Sequence, residues 1–348
     1  MSVETITPGT IAPLTSKDFA TDQEVRWCPG CGDYSILAQV QKVMPTIGVA
    51  KENIVIISGI GCSSRFPYYM NTYGMHSIHG RATTIASGLK ASRPELSVWI
   101  VAGDGDAMSI GGNHTIHMLR RNLNVNFLVF NNQIYGLTKG QYSPTSEINK
   151  VTKSSPMGSI DHPFNPAALA LGADATFIAR SMDRDPKHLQ ATLTRAEKHK
   201  GTSFVEIYQN CNIFNDGAFE IFTEKSTKPL HALFLEQGKP LTFGANGEMG
   251  IRFDGMRPQV VTIGEKYSAD DLWIHDETDF YKAQVLTRLF DNPNEPGAVF
   301  PRPFGVFYAT DRPCYEEMMA LQIEEAMTSK GMGDLDKLIR GRETWEIK

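Results

Sequence analysis

The chain has 348 residues, enough for one large domain or two smaller ones, and 41% of them are hydrophobic, so it can bury a sizeable core. Its formal net charge of −5 gives no reason to expect binding to nucleic acid or to an anionic membrane. The first residues lack the pattern of a signal peptide and no apolar run approaches the roughly 20 residues of a membrane-spanning helix, so we expect a cytoplasmic protein with five reduced cysteines.

Apolar strands alternate with helices along the first two-thirds of the sequence. After a polar start at 1–20 we predict helices at 34–47, 79–92, 107–122, 165–173 and 185–200, and buried strands at 53–61, 96–106, 125–132, 175–180 and 202–209. This alternation is typical of an α/β fold, in which a parallel sheet is flanked by helices.

The composition changes after Cys211. Residues 226–300 are richer in Gly, Pro and charge, and a last helix is predicted at 315–328. We therefore divide the chain into an N-terminal arm at 1–21, a principal domain at 22–225 and a C-terminal extension at 226–348.

The stretch GDGD at 103–106 follows a predicted strand and begins a helix. Ligands of parallel α/β sheets bind at the carboxyl ends of the strands, and the first N–H groups of a helix favour a phosphate. The aspartates would repel that phosphate unless a cation lay between them, and Mg²⁺ commonly bridges a carboxylate to phosphate oxygens. The next strand ends in NNQIYG, so we predict that Asp104, Asn132 and a backbone carbonyl just beyond hold Mg²⁺ against a diphosphate. An ordinary Asp-Gly turn is the alternative.

The paired pattern resembles the fingerprint of thiamine diphosphate enzymes, in which GDG is followed downstream by NN. The resemblance implies that the cation is bound by Asp104, Asn132 and the backbone carbonyl of Ile134.

Four cysteines occupy turns or strand ends near these elements. Cys28 and Cys31 form a CPGC motif, Cys62 follows the first strand, and Cys211 follows the strand at 202–209. Four thiolates suit zinc or a [4Fe–4S] cluster, whereas one CxxC pair is equally compatible with reduced structural thiols. A thioredoxin-like dithiol is disfavoured because the motif lacks a suitable βαβ context.

Six segments in the same order resemble the β subunit of 2-oxoacid:ferredoxin oxidoreductases, over roughly residues 22–217. They are WCPGCGDYSIL, GIGCSSRF, HSIHGRA, GDGDAMSIGGNH, NNQIYGLTKGQYSPTS and QNCNIFND. The resemblance implies a thiamine diphosphate-binding domain of the PP type, with one [4Fe–4S] cluster bound by Cys28, Cys31, Cys62 and Cys211. Cys314 remains outside this set and is expected not to be a ligand.

The same resemblance implies the contacts of the cofactor and the substrate. The predicted cofactor contacts are Ile60, Gly61, Cys62, Ser63, His79, Gly103, Gly105, Asp106, Gly136 and Leu137. Lys139, beside Leu137 in GLTKGQ, is expected to face the distal carboxylate of 2-oxoglutarate. The alternative for Lys139 is an ordinary surface lysine. The alternative substrates are pyruvate or a broad range of 2-oxoacids. The alternative for His79 is a capping or core role.

No second domain is evident that would hold the pyrimidine ring of the cofactor. The resemblance therefore implies a separate α subunit, which supplies that half of the site and the coenzyme A site, in an αβ or (αβ)2 assembly. The expected reaction converts 2-oxoglutarate and coenzyme A to succinyl-CoA and CO2, with electrons passing to ferredoxin; the sequence does not set the direction. Two other classes stay open: a non-redox thiamine decarboxylase or ligase, and an electron-transfer module with a cluster or zinc site.

Overall fold

The structure is a computed structural model that describes residues 14–255, 257–264, 266–290, 300–345 and 347. The first 13 residues of the predicted arm lie outside the described residues. The end of the arm packs against the body of the protein, because a short 3₁₀ helix at Ser16–Phe19 buries Phe19 completely.

The strands and helices have the following bounds. The strands are β1 (Ile54–Ser58), β2 (Tyr73–His76), β3 (Ser97–Gly103), β4 (Asn126–Asn131), β5 (Phe177–Met182), β6 (Ser203–Tyr208), β7 (Ala232–Phe234), β8 (Thr242–Phe243), β9 (Met249–Asp254), β10 (Arg257–Thr262) and β11 (Arg302–Ala309). The α-helices are α1 (Asp33–Val43), α2 (Phe66–Tyr69), α3 (Ala82–Ser92), α4 (Gly112–Arg121), α5 (Pro166–Gly172), α6 (Pro186–Lys198), α7 (Glu220–Thr223), α8 (Lys228–His231), α9 (Phe280–Leu286), α10 (Tyr315–Lys330) and α11 (Leu335–Arg340).

The described residues form one large sheet and one small sheet. The large sheet has eight strands in the order β2-β1-β3-β4-β6-β5-β11-β7, and its first six strands are parallel. Strand β11 runs antiparallel to β5, and β7 runs parallel to β11. The small sheet is antiparallel and consists of β8, β9 and β10.

Helices cover both faces of the large sheet, as its apolar strands require. Helices α3, α4 and α5 pack on one face, where they meet Val98, Ile100 and Ala102 of β3. Helices α1 and α6 pack on the other face, against Trp99 and Val101 of the same strand. The alternation of side chains along a strand thus divides β3 between two cores.

The predicted α/β fold is confirmed, and each predicted strand and helix corresponds to an observed one. The predicted helix at 107–122 is interrupted, because a π-helical turn at Asp106–Ile110 precedes α4. The sequence did not reveal β2, whose four residues are all exposed, nor the strands of the C-terminal part.

The segment at 226–348 is joined to the principal domain through the sheet, since it contributes β7 and β11. Its final helices do not pack into the core, because almost every described residue from 317 onwards is exposed. None of the helices in the described ranges combines the length and apolar character needed to cross a membrane.

Candidate active site

Five neighbouring parallel strands end at one edge of the large sheet. Their order is β2-β1-β3-β4-β6. Each strand leads directly into a segment that the sequence marked for function, and these segments are 77–80, 59–63, 104–106, 132–137 and 209–211, in the order of the strands. Carboxyl ends of adjacent parallel strands form the crevice where α/β proteins bind ligands.

An open cavity of about 670 Å³ lies at this edge. All ten predicted cofactor contacts line it, as do the three predicted Mg²⁺ ligands Asp104, Asn132 and Ile134. Its wall requires a glycine at position 105, because a methyl group there would lie 2.2 Å from the ring of Tyr135. The Tyr135 hydroxyl also donates a hydrogen bond to the Gly105 carbonyl oxygen, at 3.1 Å.

Asp104 is buried at the end of β3 and held by two hydroxyl groups. Its Oδ2 accepts hydrogen bonds from Ser143 Oγ and Thr145 Oγ1, both at 2.5 Å. Burial raises the pKa of the Asp104 carboxyl, and these two donors act in the opposite direction. Sequence analysis missed both hydroxyl residues, although the cluster of Ser and Thr in YSPTS was a visible signal.

The second asparagine of the NN pair faces the cavity, and the first faces the protein. Asn132 lines the cavity and its Oδ1 accepts a hydrogen bond from the Ile134 N–H at 3.1 Å. Between them Gln133 has a positive φ of 56°, which turns the chain sharply. Asn131 is buried and donates from Nδ2 to Glu206 Oε1 at 2.8 Å. The two asparagines therefore have different surroundings.

Asp106 anchors three loop groups through one oxygen. Its Oδ1 accepts hydrogen bonds from the Gly80 N–H at 2.7 Å, from the Ile60 N–H at 3.2 Å and from His79 Nδ1. A proton on Nδ1 leaves Nε2 of the neutral ring as an acceptor. Asp106 lines the cavity, and it also ties the loop after β1 to the loop after β2.

Hydrogen bonds join the three loops that carry the four cysteines predicted to bind the cluster. Trp27 Nε1 donates to the Cys62 carbonyl oxygen at 2.7 Å, and Asn212 Nδ2 donates to the Pro29 carbonyl oxygen at 2.6 Å. Gln209 Nε2 lies 3.3 Å from the Cys31 sulfur. The CPGC turn is thus fastened to the segments that bear Cys62 and Cys211.

The thiols of Cys62 and Cys211 approach one another at Gly136. A methyl group on Gly136 would lie 3.6 Å from the Sγ atoms of both Cys62 and Cys211. Burial raises the pKa of the Cys31 and Cys62 thiols, that of Cys62 to about 12, and neighbouring cysteines add to both shifts. Among the described residues, however, no three His, Cys, Asp or Glu side chains form a ready arrangement for a metal ion. The four-cysteine ligand set therefore stays a prediction.

Cys314 lies in different surroundings. It is buried at the beginning of α10, and its charged neighbours include Glu316, Glu317, Lys200 and Lys90. Burial raises the pKa of this thiol to about 11.

Lys139 does not line the cavity, but the adjacent Leu137 and Thr138 do. Its side chain is exposed, and within the described residues its ammonium has no hydrogen-bond or ion-pair partner. Its φ of 80° is in the left-handed region, which is unfavourable for a residue with a side chain.

One buried carboxyl group at the cavity was missed by sequence analysis. Asp33 begins α1, directly after the CPGC motif, and is 1% exposed. Among the described residues no side chain meets its oxygens with full hydrogen-bond geometry; burial raises the pKa of Asp33 to about 7, and the nearby Cys31 thiol acts in the opposite direction. Asp33 and Gln209 line the cavity together with Cys62.

Comparison with known proteins gives consistent relationships. The family described as thiamine pyrophosphate enzyme, C-terminal TPP binding domain, matches residues 59–207. The chain is 50% identical over 344 residues to 2-oxoglutarate oxidoreductase subunit KorB of Mycobacterium tuberculosis, covering 98% of this chain and 90% of that protein. It is 40% identical over 185 residues to 2-oxoglutarate synthase subunit KorB of Archaeoglobus fulgidus, covering 53% of this chain and 69% of that protein.

A solved structure shares the fold along nearly the whole chain. It is described as 2-oxoglutarate:ferredoxin oxidoreductase from Magnetococcus marinus with 2-oxoglutarate, coenzyme A and succinyl-CoA bound. The TM-score is 0.75 and the sequence identity 31%, over 96% of this chain and 98% of that chain.

Substituting Asp106 by alanine should destabilise the fold because it leaves the N–H groups of Gly80 and Ile60 without their acceptor. Unsatisfied buried donors cost about 1–3 kcal/mol each, so we expect a loss of about 2–5 kcal/mol in the free energy of unfolding, measured by urea denaturation. The exposed Asp161, whose side chain accepts a bond from Tyr142, is the matched control, and Asp161→Ala should change stability by less than about 1 kcal/mol. Equal effects of the two substitutions would contradict the anchoring role.

Proposed function

This chain belongs to the family of 2-oxoacid:ferredoxin oxidoreductase β subunits, and from that premise we propose that it acts with an α subunit as a 2-oxoglutarate:ferredoxin oxidoreductase. The reaction is the oxidative decarboxylation of 2-oxoglutarate to succinyl-CoA and CO2, with electrons passing to ferredoxin. The relatives named for 2-oxoglutarate, one of them aligned along 98% of the chain, support this substrate.

The observation that carries the proposal is that a single cavity unites two kinds of group. Asp104, Asn132 and the glycines around them line it from one side of the sheet edge, and Cys62 lines it as well. In this proposal Cys62 is a cluster ligand, for which a non-redox thiamine enzyme would have no use beside its cofactor. The shared wall therefore favours a reaction in which decarboxylation is followed by electron transfer.

The cavity residues fit thiamine diphosphate with Mg²⁺. A carboxylate, an amide oxygen and a backbone carbonyl form the hard oxygen set that Mg²⁺ prefers, and Asp104, Asn132 and Ile134 bring these groups to one cavity. The glycines at 103 and 105 let the diphosphate approach the backbone. In this proposal His79 reaches the diphosphate, and Asp106 fixes the orientation of the His79 ring.

The four thiols fit an iron–sulfur cluster by chemistry and by loop placement. Cysteine thiolates are the usual ligands of [4Fe–4S] clusters. Cys28, Cys31, Cys62 and Cys211 lie on loops that hydrogen bonds hold together. Burial and neighbouring cysteines raise the pKa of the Cys31 and Cys62 thiols, and bound iron would supply positive charge that favours their thiolate forms.

The two cofactors would divide the chemistry. Thiamine diphosphate, when bound, stabilises the charge that departing CO2 leaves on the substrate, and a cluster accepts electrons one at a time. This chain's own residues would bind and orient these groups: Asp104 and Asn132 would hold the cation, and Cys62, which lines the same cavity, would hold the cluster. A cluster held there would lie beside the thiamine site.

An α subunit completes the site in this proposal. The matched thiamine family covers only residues 59–207, and that match is to a single TPP-binding domain. The pyrimidine half and coenzyme A would therefore be bound largely by the α subunit, in an (αβ)2 assembly located in the cytoplasm. Within this chain, 22–225 would bind both cofactors and 226–348 would complete the sheet.

The proposal is tested on the αβ complex purified without oxygen. We expect reduction of ferredoxin that requires both 2-oxoglutarate and coenzyme A, and none from this chain alone. A complex that decarboxylates 2-oxoacids without reducing an acceptor would overturn the proposal in favour of a non-redox decarboxylase. Equal rates with pyruvate would favour the broad-range alternative.

Lys139 is the residue that we propose to select 2-oxoglutarate. It extends from the cavity-lining segment, its ammonium is unpaired within the described residues, and its backbone is held in an unfavourable conformation. Strain of this kind is often retained at functional sites. Pyruvate lacks the second carboxylate that such an ammonium would bind.

Replacing Lys139 by asparagine should lower kcat/KM for 2-oxoglutarate about 10- to 1000-fold, as expected for a contact worth roughly 1.4–4 kcal/mol. Asparagine tolerates the left-handed backbone, so the substitution removes the charge without adding strain. Activity on pyruvate should change little. The exposed Lys153 is the matched control, and Lys153→Asn should alter neither substrate. An equal loss on both substrates would show that Lys139 supports the loop and does not select the substrate.

Replacing Cys211 by serine should lower the iron content and the broad absorbance near ~400 nm, because one thiolate ligand is lost. Thiamine diphosphate should remain largely bound, since the Cys211 side chain does not line the cavity. Cys314→Ser is the matched control and should leave the iron content at its original value. Equal iron in the Cys211 variant and the parent enzyme would remove Cys211 from the ligand set.

A further inference from the structure

Ser143 and Thr145 form a pair of buried hydroxyl groups on Asp104, which we term the hydroxyl clamp. Both side chains are 2% exposed. Each hydroxyl oxygen lies 2.5 Å from the same carboxylate oxygen, Oδ2. Each hydroxyl can donate its single proton to that oxygen. Two donors at one oxygen fix the plane and the direction of the carboxylate.

The clamp is itself held in place from the sheet. Thr145 Oγ1 lies 2.9 Å from Asn131 Oδ1, and Asn131 donates to Glu206 on β6. Glu206 in turn accepts a hydrogen bond from Arg180 Nε on β5, at 2.8 Å. The single Thr145 proton can go to Asp104 or to Asn131 but not to both, so Asn131 is a second acceptor beside the hydroxyl, and Asn131 is itself held to β6 and β5 through Glu206.

The clamp also ends the loop that carries the proposed substrate contacts. This loop begins at Ile134 and its neck is closed by a hydrogen bond from the Tyr135 N–H to the Gln141 carbonyl oxygen, at 2.9 Å. Leu137 and Lys139 lie inside it. The proposed cation site therefore has contacts at both ends of the loop, through Ile134 at one end and through the clamped Asp104 at the other.

We propose that Ser143 and Thr145 are positioning residues that orient Asp104 for Mg²⁺ and thereby link cofactor binding to the order of the loop at 134–145. This inference rests on the Mg²⁺ site of the proposed function. It assigns a role to Ser143 and Thr145, for which sequence analysis gave none. Removing one hydroxyl should weaken cation binding, because partners that orient a metal ligand typically contribute about 10- to 100-fold to affinity.

The experiment measures how much Mg²⁺ the αβ complex needs to bind thiamine diphosphate, by calorimetric titration at a series of Mg²⁺ concentrations. Thr145→Val keeps the shape and removes the hydroxyl, and we expect it to raise the half-maximal Mg²⁺ concentration about 10- to 100-fold. Thr145→Ser keeps the hydroxyl and should restore a requirement close to that of the parent. Thr192→Val is the matched control, since the buried Thr192 hydroxyl donates to the His188 carbonyl oxygen within α6 and does not contact Asp104.

A second measurement follows amide hydrogen exchange in residues 136–141. In the parent complex, Mg²⁺ with thiamine diphosphate should slow exchange there, and in the Thr145→Val complex the slowing should be much smaller even at saturating Mg²⁺. An unchanged Mg²⁺ requirement, an unchanged slowing of exchange, or an equal effect of Thr192→Val would each overturn the inference.

Asp104→Asn in the same titration distinguishes a failure of the proposed cation site from a failure of the hydroxyl clamp. If this variant needs no more Mg²⁺ than the parent, the proposed cation site itself is wrong. If Asp104→Asn raises the requirement and Thr145→Val does not, the cation site stands and the clamp is refuted.

Discussion

The site depends on one constraint: five adjacent strands run in the same direction and end at the same edge. Side chains more than a hundred residues apart, such as His79 and Gln209, meet around one cavity for that reason alone. Four of these strands, β1, β3, β4 and β6, contribute side chains to the cores on both faces of the sheet, so their positions are set by two cores and not by the loops. Loops of irregular shape can then present polar groups from fixed starting points.

The two aspartates of the GDGD stretch have different partners and therefore different roles. Asp104 and Asp106 are two positions apart and both are buried. Asp104 meets hydroxyl donors from a loop beyond β4, whereas Asp106 meets backbone N–H groups and a histidine from loops after β1 and β2. Sequence analysis could predict that both belong to the site. It could not separate their partners, because those partners come from distant parts of the chain.

The same reason explains which other elements and residues could be predicted from the sequence: local patterns were visible, and contacts between distant segments were not. The buried strands were predictable since a fully covered strand is a continuous apolar run, as in the segment that forms β4. Strand β2 was missed because YGMH is an exposed edge strand with no apolar periodicity. Ser143 and Thr145 were given no role because hydroxyl residues beside a proline resemble an ordinary turn. Asp33 escaped notice because its burial depends on the packing of three separate loops.

The reversed strand β11 has a consequence for the order of events during synthesis. It pairs with β5, and more than a hundred residues of chain separate the two strands. The ribosome must therefore release residue 309 before the buried edge of β5 can be covered. Pairings of such large sequence separation form slowly, since the intervening chain loses entropy first. The nascent cofactor-binding half exposes an open strand edge in that interval, which is the stage at which a chaperone would be most useful.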